Sequence, residues 1–243
     1  MNMITDVILK KNNKVKVIRV LLKFDVLLGK YPQFGVYSYM IDSDKGIYLI
    51  DCGPKYNSQL PFFRNKFKET NNIKLIKKAM NKYFPNKTIR EIIFSHYHFD
   101  HSELAPEIQK YIKNKFGNTP LIRLHKNDYG KKKFMKIFPD SLIKYYKNAG
   151  YDTWKIGDFV KDKEPLIGTN FIIRHIPGHT TGTICFVNEK DKTIISGWWL
   201  DKNLKLAVKL VHKLIDEDPK ALEEHKHKIK YEGFKYFYYH PMI

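Results

Sequence analysis

The chain is short of cysteine, of arginine and of long apolar runs, and each shortage excludes something. Cys52 and Cys185 are the only cysteines in 243 residues. Two thiols are too few for the disulfide framework of a small secreted domain, and the start, MNMITDVILKKNN, turns polar too soon to form a secretory apolar segment. The expectation is a cytoplasmic protein with free thiols. No apolar run approaches the roughly 20 residues that a membrane-spanning helix needs. Of 44 basic side chains only Arg19, Arg64, Arg90, Arg123 and Arg174 are arginine. Readers of phosphates and bases lean on the arginine fork. The formal net charge of +19 is therefore almost all lysine, scattered along the chain, and reads as solvated surface. A nucleic-acid partner is the rival that this charge motivates. No Pro/Gly/Ser linker, repeat or low-complexity tract divides the chain, so residues 1–243 read as a single domain. There is no G-x-S-x-G elbow to arm a serine nucleophile.

What is present is a globular composition, 43% hydrophobic with 14% aromatic residues. The first third reads as strands: VKVIRVLLKF (15–24), VYSYMI (36–41) and IYLID (47–51) are rich in β-branched and aromatic residues. Asp44-Lys45-Gly46 between the last two is a hairpin turn. The region 58–83 reads as helical, with Ile73, Ile76, Met80 and Tyr83 at helical spacing. IREIIF (89–94) is a short buried strand, and a helix is expected from about Ser102 to Lys115. A strand, PLIRLH (120–125), and helical material through Asn148 follow. The last third returns to strands at 171–176, 183–188 and 192–199, then helices near 204–215 and 219–229, then a terminal strand at 234–240. Such alternation predicts an α/β fold with helices covering sheets.

The chemistry gathers in FSHYHFDHSEL, Phe94 to Leu104. His96, His98, Asp100 and His101 spell H-x-H-x-D-H at the carboxyl end of a predicted strand. Imidazole and carboxylate are ordinary ligands of zinc and similar ions, and two residues at i and i+2 at a strand end point the same way. Downstream, IPGHTTGT (176–183) puts His179 in a turn between two strands. His96, His98 and His179 together have the composition of a catalytic zinc site, three protein ligands with one position open. Asp100 and His101 then need a third partner, and His240, at the end of the last strand, is the candidate. The remaining histidines say less. His125 is expected to pack or cap, His225 and His227 do not share a helix face, and His175 and His212 have no evident partner.

H-x-H-x-D-H, then P-G-H-T, then a strand-end histidine near the C terminus, resembles the metallo-β-lactamase superfamily. LIDCG (49–53) is similar to its early strand-end element, and the pieces extend over nearly the whole chain. Their wording most resembles the branch of acyl-homoserine lactonases and glyoxalase-II-like thioesterases. The resemblance implies a four-layer αβ/βα sandwich with metals in a cleft at one edge of the sheets. It implies that His96, His98 and His179 hold one ion, that Asp100, His101 and His240 hold another, and that Asp51 orients a ligand imidazole. The ions would be zinc, one or two, with iron or manganese also admitted.

The chain departs from the pattern in places. Where the family carries an aspartate that bridges the two metals, this chain has Trp198, in SGWWLDK. Asp201 is the candidate substitute. Trp198 and Trp199 either line an apolar substrate pocket or belong to the core. Ser102-Glu103 replaces a small glycine-containing pair, and no further helix follows His240. A missing bridge leaves Asp100 as the only anionic ligand, so the second ion is expected to be held more weakly. The reading is a metal-dependent hydrolase in which a metal-bound hydroxide attacks an ester, thioester, lactone or amide of a small molecule, with Asp100 holding the nucleophile and passing a proton. Two other readings stand beside it: a nucleic-acid-processing or nucleic-acid-binding member of the same fold, and a catalytically decayed one-metal relic. The sequence leaves the oligomeric state open.

Overall fold

The computed structural model describes residues 5–24, 34–55, 69–129, 155–197, 216–228 and 232–240. The chain opens with two hairpins. Strand β1 (Thr5–Lys11) turns through Asn12-Asn13 into β2 (Lys14–Phe24), and β3 (Phe34–Ser43) turns through Asp44-Lys45 into β4 (Gly46–Ile50). Asn12 and Asn13 sit at φ +50° and +60°, the pair of positive angles that a tight hairpin asks for and asparagine tolerates. Helix α1 (Asn72–Tyr83) then carries the chain to β5 (Ile89–Ile93), parallel to β4. A short helix α2 (Phe99–Ser102) and a longer α3 (Ala105–Phe116) lead to β6 (Leu121–His125), and β7 (Asp158–Val160) closes the row. These make a seven-stranded sheet in the order β1 to β7. The second sheet has four strands in the order β11-β10-β9-β8: β8 (Ile172–His175), β9 (Ile184–Asn188), β10 (Thr193–Ser196) and β11 (Lys235–Tyr238). Helix α4 (Pro219–Lys228) lies in the crossover between the parallel pair β10 and β11.

The two-residue period of each strand sorts its side chains into layers. On β2, Ile18, Val20 and Leu22 face one way, with Met40 of β3 and Leu49 of β4, and pack against Leu75, Ile76 and Met80 of α1 and Ile108 and Ile112 of α3. On the opposite face Tyr37, Tyr39, Tyr48 and Ile50 meet Ile173, Ile184, Phe186 and Ile195 of the smaller sheet. The next residues over, Cys185, Val187 and Ile194, form a third cluster on that sheet's far side. The result is helices, sheet and sheet, with the third cluster buried on the far side of the smaller sheet, an α/β sandwich of the expected class. Each fully buried Leu, Ile or Met contributes roughly 1.5–3 kcal/mol, so the period-two pattern alone fixes which face of each strand looks inward. Among the described residues no helix is long and apolar enough to cross a membrane.

Strands β4, β5 and β6 run parallel, so their carboxyl ends share one edge, and the loops there build the site. Three boundaries differ from the sequence expectation. Asp51 leaves β4 rather than ending it, because its backbone turns to φ +54°. The helix expected from Ser102 is two helices broken at Glu103-Leu104; Pro106 lacks an N–H and takes the first turn of α3. Of the helical region expected over 58–83, residues 58–68 lie outside the described residues, 69–71 are not helical, and the helix runs Asn72–Tyr83. Strands β1 and β7 were not expected. The calls on 204–215 and most of the helical reading up to Asn148 lie outside the described residues.

Candidate metal centre

Four segments converge. After β5, Ser95 is pinned when its N–H donates to Asp51 Oδ1 at 2.7 Å and its carbonyl accepts from Ile184 N–H at 2.9 Å, which ties the loop to both sheets. His96 and His98 follow in extended chain, and α2 turns Asp100 and His101 inward. His179 comes from the loop between β8 and β9. Gly178 beside it has φ +144°, and a Cβ there would lie 2.3 Å from Leu222 Cβ, so only glycine lets α4 pack on this turn. His240 follows β11, docked onto β3 by Tyr37 N–H to Tyr239 O at 2.5 Å. The ligand atoms of His96, His98 and His179 all lie within 4.8 Å of one another, as do those of Asp100, His101 and His240. The sets adjoin: the His96 and His101 ring centroids are 4.1 Å apart.

The rings are anchored from behind. The Nδ1 of His101 lies 2.8 Å from Asp51 Oδ2, that of His179 2.7 Å from Asp216 Oδ1, and that of His240 2.9 Å from Gly35 O. Each of these oxygens can only accept, so each Nδ1 carries the proton and each Nε2 presents a lone pair. His96 turns Nε2 to within 3.0 Å of His98 Nδ1, and His101 Nε2 lies 3.2 Å from His240 Nε2. Ring nitrogens that face each other this closely need a shared proton or a cation between them, and imidazole nitrogens gathered in this way are the donor chemistry of a metal site. Asp100 Oδ2 completes the second set, 3.6 Å from His101 Nε2 and 3.9 Å from His240 Nε2.

Burial, helped by the neighbouring imidazoles, holds the pKa values of His96 and His98 well below the ordinary value. Burial and His101 bring His240 down to about 4. These rings are neutral at pH 7, the form that binds metal. His101 is different. Burial works against its charge, but Asp100 and Asp51 outweigh it, and its pKa is raised.

The structure brings together all six residues read from the sequence as ligands, with Asp51 behind His101. Trp198, Trp199 and Asp201 lie outside the described residues. Sequence reading missed a second tier. Asp216 anchors His179. Glu217 takes hydrogen bonds from Tyr97 Oη at 3.2 Å and Thr181 N–H at 2.8 Å. Asp128, almost fully buried, joins the two histidine loops, accepting from Tyr97 N–H at 3.1 Å, Thr180 Oγ1 at 2.8 Å and Gly182 N–H at 2.6 Å. One signal was available: Asp216-Glu217-Asp218 is an acidic triplet in a lysine-rich chain. His125 caps the Lys126–Asp128 turn, accepting from Asn127 N–H. It also stacks on His175 at 3.9 Å between centroids, so His175 does have a partner.

The comparisons with known proteins agree with this geometry. The metallo-beta-lactamase superfamily profile matches residues 31–197. A hydroxyacylglutathione hydrolase of Francisella tularensis subsp. holarctica is 28% identical over 129 residues, 49% of this chain and 50% of that protein; the match thus spans about half the relative's length. Among solved structures, the metallo-beta-lactamase IND-7 superposes with a TM-score of 0.61 at 16% identity, over 99% of this chain and 91% of that one. A protein crystallised in a di-iron-bound form gives 0.53 at 18% identity, over 90% and 92%. At such identities the structural likeness speaks for the fold, while the profile match covers well over half of the sequence. The chain belongs to the metallo-beta-lactamase superfamily, whose members are metal-dependent hydrolases holding one or two divalent ions.

Proposed function

We propose that this protein hydrolyses an ester, thioester, lactone or amide of a small molecule, using ions held by His96, His98 and His179 and by Asp100, His101 and His240. The observation that carries the reading is the convergence of two donor sets, each within 4.8 Å, with protonated ring nitrogens turned away from the centre. Zinc suits the imidazole and carboxylate donors; iron and manganese suit them as well. A bound divalent ion would supply Lewis acidity, lowering the pKa of a water toward 7 and polarising a carbonyl. The protein's own groups do the rest. Asp51 and Asp216 fix the His101 and His179 tautomers and keep the rings from swinging. Asp100, partly open to solvent and within reach of His101 and His240, holds the attacking water by one oxygen and carries a proton to the leaving group.

The hydroxyacylglutathione hydrolase relative favours a thioester among these substrates. The test is the metal content of the purified protein together with a screen of thioesters, lactones and esters. Metal per chain and hydrolysis should both be present, and both should be lost in the His96→Ala, His98→Ala double variant. Full metal occupancy in that variant would overturn the assignment. Cleavage of RNA that depends on His98, with no small ester turned over, would put the nucleic-acid reading in its place.

A further inference from the structure

We infer that Asp51 serves both halves of the centre, His101 directly and His96 through the hydroxyl of Ser95, which makes Ser95 a positioning residue that selects the His96 tautomer. The inference rests on the metal assignment proposed above. Three donors reach the Asp51 carboxylate: Ser95 N–H on Oδ1 at 2.7 Å, and Ser95 Oγ and His101 Nδ1 on Oδ2, each at 2.8 Å. Ser95 Oγ also lies 2.9 Å from His96 Nδ1. A serine hydroxyl has one proton to give and can accept as well. A carboxylate oxygen and a hydroxyl oxygen 2.8 Å apart with no proton between them would repel, so the serine proton lies toward Asp51. Ser95 Oγ is then the acceptor, and His96 Nδ1 must carry the proton. His96 Nε2 is left with its lone pair, facing His98 Nδ1 at 3.0 Å.

The chain of bonds is sealed. Asp51, Ser95 and His101 are fully buried and His96 is 1% exposed, so solvent does not compete for these protons, and a bond to a charged acceptor is the stronger kind. It is also held at both ends. Ser38 Oγ donates to Asp51 O at 2.7 Å, fixing the left-handed turn at that residue, and Ile184 of the other sheet holds the Ser95 carbonyl. One carboxylate thus sets a donor atom in each metal set, reaching the three-imidazole set through the serine.

Histidine-labelled 15N NMR of the metal-free full chain reads which ring nitrogen of His96 carries the proton; Nδ1 is expected. Ser95→Ala should mix the two tautomers and weaken zinc binding to the three-imidazole set by roughly 10–100-fold, leaving the other set unchanged in a chelator-competition titration. Ser95→Thr, which keeps the hydroxyl, should restore both readouts, and Asp51→Asn should weaken both sets. The inference is overturned if His96 carries its proton on Nε2 in the unmodified protein, or if Ser95→Ala binds zinc as before with the tautomer unchanged. That second result would leave the metal assignment standing. Conversely, a His96 protonated on Nδ1 in a chain that takes up no zinc would support the bond order and sink the function proposed above.

Discussion

The two donor sets sit side by side yet are built on different terms. His96, His98 and His179 are imidazoles with almost no exposure. Asp100, His101 and His240 include a carboxylate, and two of the three are partly open, at 13% for Asp100 and 24% for His240. The first set has no charge of its own to offer a cation. It would hold one by preorganisation: buried rings, anchored Nδ1 atoms, and loops stitched to each other by Asp128 and Glu217. The second would attract a cation by charge and present it to solvent and substrate. Burial without charge gives permanence, and charge with exposure gives access. A hydrolase needs both, and here they are divided between adjacent sites.

That division can be broken outright. The His96→Ala, His98→Ala double variant should lose the tightly held ion and, with it, all measurable hydrolysis, because the partly open second set is expected to release its ion during purification. His240→Ala should do less: one ion stays, and activity drops. Metal analysis of both variants after extensive dialysis checks the contrast. If His240→Ala is the variant that empties the centre, the roles of the two sets are reversed.

A gentler cut removes the anchor and keeps the ligand. Asp216→Ala leaves His179 in place without its Nδ1 acceptor. Zinc affinity of the three-imidazole set should fall roughly 10–100-fold, while the second set, which Asp216 does not touch, keeps its own. Chelator-competition titration separates the two. Equal losses at both sets would mean that the loop as a whole collapsed, and the permanence of the first set would then owe nothing to tautomer control.

A third change adds charge to the weaker side. If Trp198 stands where the sequence resemblance puts a bridging aspartate, Trp198→Asp should raise occupancy of the second set without altering the first. The magnitude is smaller than the losses above, since one carboxylate is added to a set that already has Asp100. Folding must be followed in parallel, because losing an indole costs stability wherever it was packed. An unchanged titration would mean that residue 198 does not face the ions.

How much of this the sequence could show follows from how the information is stored. The ligands were legible because they sit at fixed spacing in a run, His96 to His101, and at strand ends marked by Pro-Gly and by the chain's last apolar stretch. Strands β2, β3 and β4 were legible from their β-branched and aromatic residues, and the layering came with the family resemblance. The anchors were not. Asp216 meets His179 across 37 residues and Asp128 meets Thr180 across 52; a single carboxylate among 25 acidic residues has no period to betray its partner. Strand β7 was missed for a related reason: three residues are too few to show a pattern, and their pairing with β6 is a tertiary contact across 35 residues. Asp51 was legible as a residue that orients a ligand, through LIDCG, but its turn out of the strand was not. That turn comes from tertiary hydrogen bonds overriding a strand-forming neighbourhood.

The smallest expected effect concerns the support behind the three-imidazole set. His175 donates from Nε2 to Thr181 O at 2.9 Å, within the loop that carries His179, and stacks on His125. Burial, then the neighbouring His175 and Lys126, hold His125 down to about 4, against a weak opposing pull from Asp162. His175 is lowered too, by burial first. Both bind a proton more readily in the unfolded chain, near 6.5. Their contribution to stability is therefore complete above the unfolded value and is lost as pH falls from about 6.5 toward about 4. For His125 the slope is about 1.4 kcal/mol per pH unit at most, and incomplete burial brings the total to the order of 1–3 kcal/mol. His125→Phe keeps a stacked ring and removes the titration. Urea unfolding of the metal-free protein should find the variant gaining on the unmodified chain between pH 6.5 and 4.5, with no change in zinc affinity at pH 7.5. A constant difference between the two proteins across that range would show that His125 takes its proton without strain. The loop behind His179 would then owe its order to Asp128 and Glu217 alone.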